Sequence, residues 1–75
     1  MKARVSVFVA DKCHLCEAAV DVVRDVCGEA FSLVDITGDP ELEQRYRERI
    51  PVVEVDGVAR FTYFVQPGAL RATLL

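Results

Sequence analysis

Two cysteines separated by two residues are the side chains best suited to chemistry in this sequence. Cys13 and Cys16 enclose the dipeptide His14-Leu15, between an apolar stretch and a helical pattern. Cys13 is therefore predicted at the N-cap or first turn of a helix, where unpaired N–H groups and the helix dipole favour a thiolate. Cys16 lies one turn further along and is more shielded by packing. The spacing predicts that Cys13 attacks a disulfide and that Cys16 resolves the mixed disulfide.

Two charged neighbours of the cysteine pair are predicted to contact a substrate. Lys12 adds positive charge next to Cys13, whereas Asp11 works against it. A protonated His14 would stabilise a Cys13 thiolate, and the alternative is a solvated histidine with little effect. Lys12 and His14 are accordingly predicted as substrate-binding residues.

A thiol pair can also bind a metal, and this gives the main alternative function. Structural zinc needs a second ligand pair, but Cys27 lies eleven residues beyond Cys16 on the same predicted helix. That is about 16 Å at 1.5 Å per residue, too far for a shared ion or a disulfide. Cys27 is instead predicted to be a small apolar side chain of the helix core. No metal site is predicted, although a soft-metal module that binds Cu(I) or Zn(II) through Cys13, Cys16 and His14 stays the alternative, together with a non-catalytic interaction domain.

Periodicity of apolar residues and turn signals predicts the elements that position the cysteines. They are strands at 5–9 and 30–36, helices at 15–27 and 40–50, a hairpin at 52–64 around Asp56-Gly57, and a closing helix at 69–75. Asp39 is the predicted N-cap of the second helix, with Pro40 at its first position. A parallel βαβ half joined through a helix to an antiparallel hairpin makes an α/β fold, βαβαββα, with one four-stranded mixed sheet flanked by helices.

Length and charge limit the classes of function. The chain has 75 residues, which predicts one domain over 1–75, and its net charge of −3 without a basic stripe argues against nucleic acid. No apolar run is long enough for a membrane helix. The apolar stretch within residues 1–10 is interrupted by Ser6 and is followed directly by the charged residues Asp11 and Lys12. A first strand therefore explains this segment better than a signal peptide. A cytoplasmic monomer is predicted.

Charged and aromatic side chains elsewhere have simpler predicted roles. Arg45, Arg47 and Arg49 are predicted to form the solvated end of the second helix. In the alternative, Arg47 or Arg49 attracts an anionic thiol substrate. Tyr63 and Phe64 are predicted to pack in the core and at its edge.

The chain resembles the small bacterial glutaredoxin-like proteins of the thioredoxin superfamily over its whole length. The resemblance is carried by the CHLC motif followed by Glu17-Ala18, by the Asp39-Pro40 helix start, and by the segment from Ile50 to Gly57. It implies a thioredoxin-like fold, disulfide oxidoreductase activity of the Cys13/Cys16 pair, and a cis Pro51. It also implies that the backbone of Ile50 pairs with the main chain of a bound substrate. Pro51 should face the cysteines, since the third strand would start beside the first helix.

The chain departs from these families at the sites of their usual thiol partners. Glutaredoxins carry a Gly-Gly stretch for glutathione before the last helix, where this chain has the segment 64–68, and thioredoxins carry a tryptophan that this chain lacks. No tightly bound cofactor is predicted. Glutathione or an equivalent small thiol stays open as a substrate, beside a disulfide-containing protein, and the reductase is not predicted.

Overall fold

The seven predicted elements are all present, in the predicted order. The computed structural model describes residues 5–75, so residues 1–4, which belong to the predicted domain and to the segment weighed as a signal peptide, lie outside the described part. The elements are β1 (Val5–Val9), α1 (His14–Cys27), β2 (Ser32–Asp35), α2 (Pro40–Tyr46), β3 (Val52–Val55), β4 (Val58–Thr62) and α3 (Pro67–Leu74). The βαβαββα prediction is confirmed.

The four strands form one mixed sheet in the order β2-β1-β3-β4. β1 pairs parallel with β2 and antiparallel with β3, and β3 pairs antiparallel with β4 through the Asp56-Gly57 turn. Both residues of this turn have positive φ, 52° and 82°, as a tight hairpin turn requires. Because β1 runs antiparallel to β3, the last residue of β1 and the first residue of β3 lie at the same end of the sheet.

Alternating side chains of the central strands build a core on each face of the sheet. On one face, Val7 and Val53 pack with Val23 of α1 and Leu70 of α3, all fully buried. On the other face, a second cluster contains Phe8, Ile36, Tyr46 and Val52, with Tyr46 contributed by α2. Both faces of β1 are therefore covered, which explains why its sequence is apolar at nearly every position.

Four element boundaries differ clearly from the sequence prediction. α2 ends at Tyr46 rather than at residue 50, which leaves four residues outside the helix before Pro51. β2 is shorter than predicted because only residues 32–35 lie opposite β1. β4 ends at Thr62 rather than residue 64, since Tyr63 adopts a φ of 66° and leaves the extended conformation. α3 begins at Pro67 and not after it, because the fixed φ of proline suits the first position of a helix.

None of the helices between residues 5 and 75 has the length and apolar character needed to span a bilayer.

Candidate functional site

Cys13 is the N-cap of α1, at the exit of the central strand β1. Its backbone is extended, with φ −120° and ψ 105°, and its Sγ accepts a hydrogen bond from the Cys16 N–H at 3.2 Å. An N-cap side chain that accepts a hydrogen bond from the N–H three residues later satisfies one of the unpaired backbone donors of the first helical turn. Here a sulfur takes the place of the usual oxygen. The predicted position of Cys13 at the N-terminus of the first helix is confirmed.

Cys16 is the shielded member of the pair. Its side chain is 3% exposed, whereas Cys13 is partly exposed, and both are free thiols. Burial raises the pKa of the Cys16 thiol to about 11, and the hydrogen bond with Cys13 adds to this increase. The raised pKa keeps the Cys16 thiol protonated, and its low exposure keeps the sulfur away from solvent. The two sulfurs are thus chemically unequal.

A groove of about 390 Å³ lies beside the two cysteines and is called the Cys groove. Its lining includes Val9, Lys12, both cysteines and Leu33, with the carboxylates Asp11, Glu17 and Asp21. Lys12 is exposed, with a φ of 58° in the turn that leads into Cys13. The structure therefore brings Lys12 together with the thiol pair, in surroundings that carry more negative than positive charge.

His14 and Cys27 lie on the same helix as the pair but in different surroundings. His14 is exposed at the first position of α1 and is not part of the lining of the Cys groove. Cys27 is half-buried against the core at the last position of α1, and burial raises the pKa of its thiol. Cys27 is thus a packing residue at the far end of the helix.

Ile50 and Pro51 lie at the same end of the sheet as Cys13. The β1–β3 register pairs Phe8 with Val52, which places Pro51 alongside the last residue of β1. The Ile50-Pro51 bond is cis, as the resemblance implied, and Pro51 is fully buried. The Ile50 N–H donates to the Tyr46 carbonyl at 3.1 Å, so it is engaged within the protein.

Two aromatic residues that were predicted to pack in the core and at its edge lie on the surface. Tyr63 is 43% exposed and Phe64 is 71% exposed, so the predicted core and edge packing is wrong. They line a small apolar groove with Leu15, which stands between the two cysteines in sequence. Aromatic side chains resemble core residues in any sequence pattern, and only the end of β4 at Thr62 shows that these two lie outside it.

The arginines at the end of α2 do not line the groove beside the thiol pair. Arg47 pairs with Glu43 one turn earlier, and Arg49 is exposed beyond the helix. Neither residue lines the Cys groove. The solvated helix end predicted from the sequence describes their surroundings.

Between residues 5 and 75, no group of three or more histidine, cysteine, aspartate or glutamate side chains is arranged to hold a metal ion. The soft-metal set of the alternative function, Cys13, Cys16 and His14, is not such a group. Exposure of the imidazole at the helix surface and burial of the Cys16 sulfur explain why the three side chains do not converge.

Comparison with solved structures finds similar chains. Protein XcR50 from X. campestris is 34% identical, with 93% of each chain covered and a TM-score of 0.79. Protein Ne2328 from Nitrosomonas europaea is 24% identical over 100% of this chain and 94% of its own, with a TM-score of 0.77. A mutant thioredoxin from Halobacterium salinarum is 22% identical over 97% of this chain and 72% of its own, with a TM-score of 0.66. The last two show the fold alone, which is thioredoxin-like.

A search of functionally curated proteins finds no match. The family model of the glutaredoxin-like domain (DUF836) matches residues 4–75. The four-stranded mixed sheet and the thiol pair at the start of α1 agree with the sequence patterns, and the cis proline beside β1 agrees with the resemblance. This chain belongs to the glutaredoxin-like domain family.

Proposed function

We propose that this protein is a thiol–disulfide oxidoreductase in which Cys13 attacks and Cys16 resolves. The observation that carries the proposal is the asymmetry of the pair. The Cys13 sulfur accepts an N–H bond at a helix mouth and is partly exposed, whereas Cys16 is 3% exposed with a raised pKa. An N–H donor and the positive end of the helix dipole favour negative charge on the Cys13 sulfur. The family and fold support a redox role.

The first chemical step is attack by the Cys13 thiolate on one sulfur of a substrate disulfide. A Cys13–substrate disulfide forms, the substrate S–S bond breaks, and the departing thiolate takes a proton from solvent. Once Cys13 is bonded, its sulfur no longer carries the charge that opposes deprotonation of Cys16. Cys16 then loses its proton more readily than in the dithiol form.

The second step returns the substrate in reduced form. The Cys16 sulfur attacks Cys13 Sγ, the Cys13–Cys16 disulfide forms, and the second substrate thiolate leaves and is protonated. The substrate has gained two electrons and two protons, and the protein has lost them. An external thiol reductant must then restore the dithiol, and no tightly bound cofactor takes part.

Four further residues are proposed to contact the substrate. Lys12 borders the Cys groove and His14 is exposed beside Cys13. The Ile50 carbonyl would accept a hydrogen bond from the substrate main chain, next to buried Pro51. Substrates of this kind are disulfide-containing proteins or small thiols. A single domain working as a monomer in the cytoplasm fits the proposal, since a reductant needs a compartment whose thiols stay reduced.

Three single substitutions test the proposal. Cys13→Ser should abolish reduction of a peptide disulfide, because the attacking sulfur is gone. Cys16→Ser should accumulate a mixed disulfide of Cys13, visible as a mass increase equal to one substrate thiol. Cys27→Ser is the matched control and should keep wild-type activity, since Cys27 lies at the far end of α1.

Activity of Cys13→Ser equal to that of the wild type would overturn the proposal. Elemental analysis of protein purified under reducing conditions provides the second check. Stoichiometric copper or zinc would favour the metal-binding alternative.

A further inference from the structure

We infer that the substrate is a polypeptide disulfide with an apolar residue next to its cysteine, seated in the groove between Leu15, Tyr63 and Phe64. This inference rests on the proposed function and names its substrate class. The groove is called the Leu15 groove. It is formed by the exposed side of α1 and by the segment that follows β4.

The Leu15 groove is linked to the thiol pair by the sequence of α1. Leu15 is two residues from Cys13 and adjacent to Cys16, and it is 39% exposed. The groove continues along α1 past Ala18 and Val22, and Phe64 covers it from the other side. A residue that follows a cysteine bound at Cys13 would thus meet apolar surface at once.

Tyr63 is held in place by two hydrogen bonds to the segment before β3. Its N–H donates to the Pro51 carbonyl at 2.9 Å, and its hydroxyl donates to the Glu48 carbonyl at 2.5 Å. Its φ of 66° is unfavourable for a residue with a side chain and persists because these contacts fix it. The aromatic wall of the groove is therefore ordered before any ligand binds, and it is joined to the Ile50-Pro51 segment.

Charge distinguishes an apolar polypeptide from a small charged thiol such as glutathione. The side chains that line the Leu15 groove are aliphatic or aromatic, without a carboxylate or an ammonium group. The Cys groove, by contrast, is lined by three carboxylates together with Lys12. Glutathione carries two carboxylates and one ammonium within three residues. It would lose hydration on the apolar side and meet like charge on the acidic side, whereas an apolar peptide segment meets neither cost.

The groove is small, with a volume of about 80 Å³, so it has room for one aliphatic side chain. Burial of such a side chain in a hydrophobic pocket commonly changes reaction rates by a factor of ten or more. The acceptor for the neighbouring main chain would be the Ile50 carbonyl, in the segment that Tyr63 contacts through the Pro51 carbonyl. Apolar contact and main-chain pairing would together orient the substrate sulfur towards Cys13.

The experiment measures how the first chemical step depends on the residue next to the substrate cysteine. Acetylated and amidated peptides carry Leu, Gly or Glu after a single cysteine, whose sulfur is joined by a disulfide to thionitrobenzoate. Attack by Cys13 forms the Cys13–peptide disulfide and releases coloured thionitrobenzoate. The Cys16→Ser variant stops the reaction there, so one rate constant is read for each peptide. The same reagent linked to glutathione is the fourth substrate.

We expect the Leu peptide to react about tenfold faster than the Gly peptide, and the Glu peptide and glutathione to react more slowly than Gly. A Phe64→Ser substitution in the same background should bring the Leu rate down to the Gly rate. Val58→Ser is the matched control, since Val58 is 51% exposed at the opposite end of the sheet, and it should keep the preference. Circular dichroism establishes that both variants fold.

Each outcome bears on a separate claim. Equal rates for all four substrates, or a faster reaction with glutathione, would overturn the inference and leave the oxidoreductase proposal intact. Absence of reaction with every disulfide would overturn both. Concentration-dependent self-association that Phe64→Ser removes would show that the groove binds a second copy of the chain instead, and would also overturn the inference.

Discussion

The raised pKa of Cys16 predicts a large difference in alkylation rate between the two thiols of the pair. Thiolates rather than thiols react with iodoacetamide. A pKa of about 11 instead of 9.0 lowers the thiolate fraction at pH 7 about a hundredfold, since each unit is a factor of ten. We therefore expect Cys16 in the folded protein to react about a hundred times more slowly than in the unfolded chain, because the greater nucleophilicity of a less acidic thiolate offsets part of the ionisation effect and the 3% exposure adds to it.

The assay is alkylation of the reduced protein followed by mass spectrometry of its peptides, in buffer and in concentrated urea. The pH profile adds an independent signature. Between pH 9 and 10 the Cys16 rate should rise about tenfold in the folded protein, whereas in urea, where the pKa returns to about 9.0, it should rise less than about twofold and level off above pH 10. In Cys13→Ser the rate at Cys16 should rise only in part, because burial, the larger cause of the raised pKa, stays.

Equal labelling of Cys16 in folded and unfolded protein would refute the reasoning. It would mean that the buried sulfur reaches solvent as readily as a free thiol. The assignment of Cys13 as attacking residue and Cys16 as resolving residue would then lose its physical basis. Labelling of Cys16 before Cys13 would reverse the two roles.

Three further predictions concern stability. Leu70→Ala should lower the free energy of unfolding by about 2–5 kcal/mol in urea titrations, because Leu70 is fully buried, whereas Leu75→Ala at the exposed end should change little. Gly57→Ala should lower the free energy of unfolding by about 1 kcal/mol, because φ is +82° at that turn. Gly68→Ala within α3 should raise it by about 0.5–1 kcal/mol, because alanine favours a helix and the added methyl group meets open space. Changes of the same sign at both sites in urea titrations would contradict the argument. The hydrogen bond from the Thr37 N–H lowers the pKa of Asp35, so the stabilising effect of this carboxylate is complete above the usual carboxyl pKa and is lost as pH falls below it. Asp35→Asn should therefore make the free energy of unfolding less dependent on pH in acid, as followed by fluorescence or circular dichroism. An unchanged acid denaturation curve would refute the assignment.

The order of elements and the position of the thiol pair could be predicted from the sequence because they depend on local patterns. The apolar periodicity from Leu15 to Cys27, the Asp39-Pro40 helix start and the Asp56-Gly57 turn each determine backbone conformation through nearby residues alone. The helix start also places Cys13 at an N-cap. These features hold without knowledge of the rest of the chain.

What lies around the cysteines was decided by the tertiary structure. Val and Phe residues carry the same apolar signal whether a sheet, a helix or solvent faces them, so the exposure of Phe64 and the pairing of Tyr63 with Pro51 could not be read from the sequence. The exposed fraction of the Cys16 side chain is set only when β1 and α1 pack together. Conformation is set by neighbours along the chain, whereas exposure and charge surroundings are set by residues distant in sequence that folding brings into contact.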